Sequence, residues 1–125
     1  MKAFLDTHAA VALEEGALEV FGPASTDLLE RAALFLSPVV SLELAFLAEI
    51  GRLTVEPDEV AAGLHSKLGV TLSEDPIAAV IREAMGLTWT RDPFDRLLVA
   101  TARLHRAPLI TRDRNLHEHF PGAVW

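Results

Sequence analysis

Short, almost wholly apolar runs alternate along this chain with longer stretches of helical periodicity, and that alternation is what most restricts its fold. Lys2–Leu5, Leu34–Leu36, Val70–Leu72 and Pro108–Thr111 read as strands, and Ala123–Trp125 as a short last one. Between them the apolar residues recur at helical spacing. Thr7–Glu14 reads as a helix closed by Gly16, and Gly22-Pro23-Ala24-Ser25 as a loop. Asp27-Leu28-Leu29-Glu30 resembles a capping box opening a second helix. Ser37-Pro38 leads a helix to Ile50 with Gly51 as its stop, and Pro57–Leu68 forms another. Asp75-Pro76 and Asp92-Pro93 are N-cap and first-turn proline signals, for helices reaching Met85 and Arg106. Gly86–Arg91 and Thr111–Asn115 read as loops. Strands with no polar alternation are buried on both faces, so the pattern predicts a parallel sheet between two helical layers.

The chain of 125 residues fits one domain, 1–125, without repeats or linkers. Half of its residues are hydrophobic, which supplies a core and argues against disorder. Cysteine is absent, which excludes a disulfide scaffold and a thiolate metal site and makes a cytoplasmic location the expectation. The first residues lack a signal-peptide layout. The most apolar stretch, Ala33–Ile50, is interrupted by Pro38, Glu43 and Glu49, so no membrane span is expected. The net charge of −7 is uneven: residues 1–90 carry 5 basic and 14 acidic side chains, residues 91–125 carry 6 arginines and 4 acids. Bulk charge does not favour nucleic acid, but an arginine patch beside a metal-neutralised acidic site can hold a phosphate backbone.

Four acids stand where a parallel sheet gathers its ligands, beyond the carboxyl ends of the strands. Asp6 directly follows the first strand, and Asp113 lies two residues past Thr111. Glu43 sits in the first two turns of the helix after the second strand. Asp95 sits in the first turn of a helix whose other end feeds the fourth strand, so its own end lies at the same rim. Glu43 shares a helical face with Val39, Val40, Phe46, Leu47 and Ile50, and Asp95 with Leu98, Val99 and Ala102. Both acids are therefore expected on core-facing stripes, where an uncompensated charge is costly. Converging carboxylates repel, and a divalent cation with hard oxygen ligands, Mg²⁺ or Mn²⁺, resolves the conflict.

Each acid also has a plainer reading. Asp6 is as readily a helix cap, Glu43 a partner for Arg96, Asp95 a complement to its helix dipole, and Asp113 a turn residue. Asp92 is better explained as an N-cap than as a ligand. His117-Glu118-His119 reads as a surface stretch, His8 as close enough to Asp6 to reach substrate but more readily solvated or capping, and Trp89 and Phe94 as core. An acid after a first strand also occurs in receiver domains and aspartyl-phosphate phosphatases. A receiver pairs two acids there with a late lysine, and the last lysine here is Lys67. Such a phosphatase carries Asp-x-Asp, against Asp6-Thr7-His8. A catalytically silent binding module is the remaining alternative.

Phe4-Leu5-Asp6-Thr7-His8, Ser37-Pro38-Val39-Val40-Ser41-Leu42-Glu43-Leu44, the run from Arg91-Asp92-Pro93-Phe94-Asp95-Arg96 to Ala102, and Leu109-Ile110-Thr111-Arg112-Asp113 together resemble PIN-domain proteins, specifically VapC-like toxin ribonucleases of bacterial toxin–antitoxin pairs. The resemblance spans nearly the whole chain. It implies a three-layer α/β/α sandwich with about five parallel strands. It carries the family's acids onto Asp6, Glu43, Asp95 and Asp113 as catalytic and metal-binding residues, with supporting hydroxyls at Thr7 and Thr111. It implies Mg²⁺- or Mn²⁺-dependent hydrolysis of RNA phosphodiesters, a cognate antitoxin and a homodimer. Arg91, Arg96, Arg112 and Arg114 are candidates for phosphate contacts. Relatives with this pattern often carry Leu-Leu-Trp after Asp-Thr-His. Here Ala9-Ala10-Val11-Ala12-Leu13 stands instead, a departure that bears on partner contacts rather than on the acids.

Overall fold

The computed structural model describes residues 1–125. Five strands form one sheet: β1 (Lys2–Leu5), β2 (Ala33–Leu36), β3 (Thr71–Leu72), β4 (Leu109–Ile110) and β5 (Ala123–Val124). The order is β3-β2-β1-β4-β5 and every pairing is parallel. Seven helices flank it: α1 (Thr7–Glu14), α2 (Pro23–Arg31), α3 (Pro38–Glu49), α4 (Pro57–Leu68), α5 (Ile77–Met85), α6 (Pro93–Leu104) and α7 (Arg114–His119). This is the α/β/α sandwich expected from the alternation of strand and helix patterns. No helix is long and apolar enough to cross a membrane.

β1 is central because it can be buried on both faces. Ala3, Phe4 and Leu5 are buried, as are Leu109 and Ile110 of β4 beside them. Each large side chain so buried is worth about 1.5–3 kcal/mol relative to exposure. Phe4 pairs with Phe35 on one side and Leu109 on the other. The chain builds outward from β1 through β2 to β3, then returns to the opposite side with β4. The order of strands thus reverses between β1 and β4, and this switch point opens a crevice at the carboxyl edge.

Several helix starts differ from the sequence reading. α2 begins at Pro23, with Gly22 in the cap position, so Gly22-Pro23-Ala24-Ser25 is not a loop and Asp27 caps nothing. Proline at the first helical position fixes that start five residues earlier, and Asp27 instead pairs with Arg31 one turn on, at 3.0 Å. Asp75 does not cap α5 either. Pro76 occupies the cap, and the Asp75 carboxylate meets the Nε2 of His105 at 2.7 Å. Asp92 does cap α6, accepting from the Phe94 and Asp95 amides at 2.8 and 3.3 Å. α7 stands where a loop was expected. Its six residues are too few to show a periodic stripe, and its start depends on the Asp113 cap. A short 3-10 turn at Leu18–Val20 was likewise not legible.

Candidate active site

Asp6 ends β1 and caps α1. Its Oδ1 accepts from the Ala9 amide at 2.7 Å, while its own amide donates to the Ile110 carbonyl at 3.1 Å. The capping and rim readings of this residue are therefore both true. Asp113 leaves β4 in the same way and caps α7, with its Oδ1 accepting from the Leu116 amide at 3.0 Å. The two segments are stitched by Thr111. Its buried hydroxyl accepts from the Asp113 amide at 3.1 Å and is hydrogen bonded to the Asp6 carboxylate.

Glu43 and Asp95 arrive from the helical layers. Glu43 lies in the second turn of α3, where Thr7 of α1 donates its hydroxyl to Oε1 at 2.5 Å. The expected core stripe on α3 is only partly so. The buried face runs through Val40 and Leu44, whereas Phe46 is 46% and Ile50 63% exposed, which leaves Glu43 half-buried at the stripe's edge. α3 carries apolar residues nearly all round, more than its neighbours can cover. Asp95 is half-buried in the first turn of α6 above buried Leu98, Val99 and Ala102, as its spacing predicted.

These elements bring Asp6, Glu43, Asp95 and Asp113 to one cleft of about 380 Å³ at the switch point. Thr7, His8, Asp92 and Arg112 share its walls, and Leu98 and Leu116 supply its apolar lining. Of the arginines singled out from sequence, only Arg112 reaches the cleft. Arg96 does not pair with an acid; its Nε donates to the Thr90 carbonyl at 2.8 Å. Arg91 and Arg114 are exposed outside the cleft. His117 and His119 bond the Thr111 and Asn115 carbonyls, and the His119 ring stacks on Trp89 at 5.0 Å. Asp92 and His8 line the cleft, although the sequence favours a cap for the one and a solvated or capping role over substrate contact for the other. For Asp92 the only signal was its place in the run that ends at Asp95.

No lysine or arginine forms a salt bridge with any of the four acids. The electrostatic consequence is marked at Asp95. Burial, then the negative charges of Asp92, Asp113, Glu43 and Asp6, push its carboxyl up to about 7. Burial also raises the Asp6 carboxyl, against the opposing hydrogen bonds from Thr111 and Ala9 and the His8 imidazole, while Asp113 adds to the rise. The donor chemistry fits a hard divalent cation: carboxylate oxygens, two nearby hydroxyls, and negative charge without a protein counter-charge. The ring is open, however. No three of these groups stand together in ligating geometry. Repulsion gives like charges no reason to close up, and Asp6, Asp113 and Glu43 are drawn aside by Ala9, Leu116 and Thr7.

The family model of the PIN domain matches residues 3–119. No curated protein matches the chain. Among solved structures, the chain is similar to a toxin–antitoxin complex from Klebsiella pneumoniae, with 20% identity, a TM-score of 0.63, and 98% of this chain and 96% of that chain covered. It is similar to VapBC2 from Rickettsia felis bound to a DNA fragment from their promoter, with 16% identity, a TM-score of 0.63, and coverage of 99% and 96%. It is also similar to FitAcB from Neisseria gonorrhoeae, with 18% identity, a TM-score of 0.52, and coverage of 98% and 96%. These likenesses establish a shared fold. With the strand order, the switch-point cleft and a family match over nearly its whole length, the chain belongs to the PIN-domain family.

Proposed function

We propose that this protein is a divalent-metal-dependent endoribonuclease and the VapC-like toxin of a cytoplasmic toxin–antitoxin pair. The observation that carries the reading is the meeting of four acids from distant segments in one cleft without a cationic partner. Asp6, Asp95, Glu43 and Asp113 would hold Mg²⁺ or Mn²⁺. When bound, the ion supplies charge for a phosphate oxygen and lowers the pKa of water to make a nucleophile.

The chain's own residues do the rest. Thr7 orients Glu43, and Thr111 orients Asp6 and the start of α7, so the carboxylates are held by buried hydroxyls. Arg112 is the cleft cation available to a phosphate oxygen, its guanidinium steadied 5.7 Å over the Trp125 ring. Leu98 and Leu116 form apolar lining that lowers the local dielectric and strengthens each charge interaction. The similarity to toxin–antitoxin complexes supports a small antitoxin as partner; a homodimer belongs to the same proposal on the family resemblance alone. The decisive experiment is cleavage of a labelled single-stranded RNA with Mg²⁺ or Mn²⁺, with and without EDTA, by the wild type and Asp95→Asn. EDTA-sensitive cleavage lost in the variant supports the reading. Cleavage that survives both treatments, or is absent with every divalent ion, overturns it.

A further inference from the structure

The acidic cleft does not stand alone. A second groove of about 670 Å³ shares Thr7, His8, Glu43 and Arg112 with it and runs on between α1 and the turn after α3. Its character changes along the way. Val11, Leu47 and Leu53 supply apolar lining, and Arg52 lines it as well. Arg52 is exposed and forms no ion pair, as is true of Arg112. The acids on this groove are Glu15 and Glu43, and Glu43 is engaged by Thr7. Two guanidiniums without an acidic partner beside aliphatic side chains suit a chain that is anionic along its backbone and presents flat, apolar base faces.

We propose that this groove is the track of single-stranded RNA on one side of the scissile phosphate, with Arg52 as a phosphate-binding residue outside the acidic cleft. The proposal rests on the ribonuclease reading above. Arg112, at the junction of the two cavities, holds the backbone as it leaves the cleft. Arg52 holds it further on, and the intervening base lies on Val11 and Leu53. A protein of net charge −7 needs such local cations to retain a polyanion. Arg52 lies past the stop of α3 and carries no motif, so sequence alone did not mark it.

The test is binding of a fluorescent single-stranded oligoribonucleotide of mixed sequence to the full chain in the Asp95→Asn background, measured by anisotropy across a salt series. Arg52→Gln should weaken binding by about 5-fold or more and reduce the log–log salt slope by about 0.7, the share of one phosphate contact on a single strand. Arg82→Gln, an exposed arginine on α5 away from both cavities, should change neither. Equal binding by Arg52→Gln and its parent, or no RNA binding at all, overturns the track. If Arg52→Gln spares RNA but weakens a co-expressed antitoxin complex, the groove belongs to a protein partner and the track is likewise overturned. RNA binding that responds to Arg52 in a protein whose wild type cleaves nothing supports the track while overturning the nuclease reading, so the two failures are distinguishable.

Discussion

The Thr7 hydroxyl donates to Glu43 Oε1 at 2.5 Å, joining the first turn of α1 to the second turn of α3 across the mouth of the cleft. Thr7 is itself buried, so the bond fixes a half-exposed carboxylate to a rigid element. Thr7→Val keeps the shape and removes the donor. It should lower activity or metal affinity by roughly 10- to 100-fold, the range for groups that orient a ligand, with little change in melting temperature. Steady-state cleavage at graded Mn²⁺ measures this. Unchanged activity and metal dependence would show that Glu43 needs no such positioning.

Asp95 is the acid with the strongest opposing pressures. Asp95→Asn should reduce cleavage by ~100-fold or more, at least the loss seen when a metal site's supporting groups are removed. It should leave metal-free melting at neutral pH the same or higher, since one of several crowded charges is gone. Cleavage and calorimetry on the same preparation check both halves.

The pH dependence of stability has a definite sign. Asp95 holds its proton up to about 7 in the folded protein, against 3.8 ordinarily. Between these values the native state binds more protons than the unfolded chain, so metal-free stability falls as pH rises from about 4 to about 7 and levels off above. The raised Asp6 carboxyl acts in the same direction. Urea unfolding at several pH values should show this slope, and Asp95→Asn should flatten it. A wild-type profile that rises over that window would contradict the uncompensated-charge account.

Divalent cations should relieve the same repulsion. At ~100 times its dissociation constant, a bound ion adds about 2.7 kcal/mol to stability. Melting temperature should therefore climb with Mg²⁺ or Mn²⁺, and less so in Asp6→Asn and Asp95→Asn. No shift in either metal would argue against a cation site in the cleft.

Asp92 carries two separable roles. Its side chain caps α6 through the Phe94 and Asp95 amides, and its charge raises the Asp95 carboxyl. Asp92→Ala should cost ~1 kcal/mol through loss of the cap. Asp92→Ser retains the cap and removes the charge, so it should keep stability while lowering the pH at which Asp95 titrates. Thermal melts and carboxyl chemical shifts followed against pH distinguish the two substitutions.

Local chemistry fixed a great deal of this protein in advance. The strand runs, the prolines at the starts of α3 and α6 and the glycine after α3 act within a few residues, so their elements could be read directly from the order of side chains. The parallel sheet followed, because strands without alternation have nowhere to lie except between two helical layers. The rim position of Asp6, Glu43, Asp95 and Asp113 followed in turn from where each sits relative to a strand's end. Tertiary structure decided what distance along the chain conceals. It set Arg112 rather than Arg96 in the cleft, paired Asp75 with His105 instead of a helix amide, and placed Arg52 on a groove with residues of α1. Those outcomes depend on which helices pack together and on how far each turns about its axis. Many side chains settle that jointly, and no short stretch of sequence encodes it.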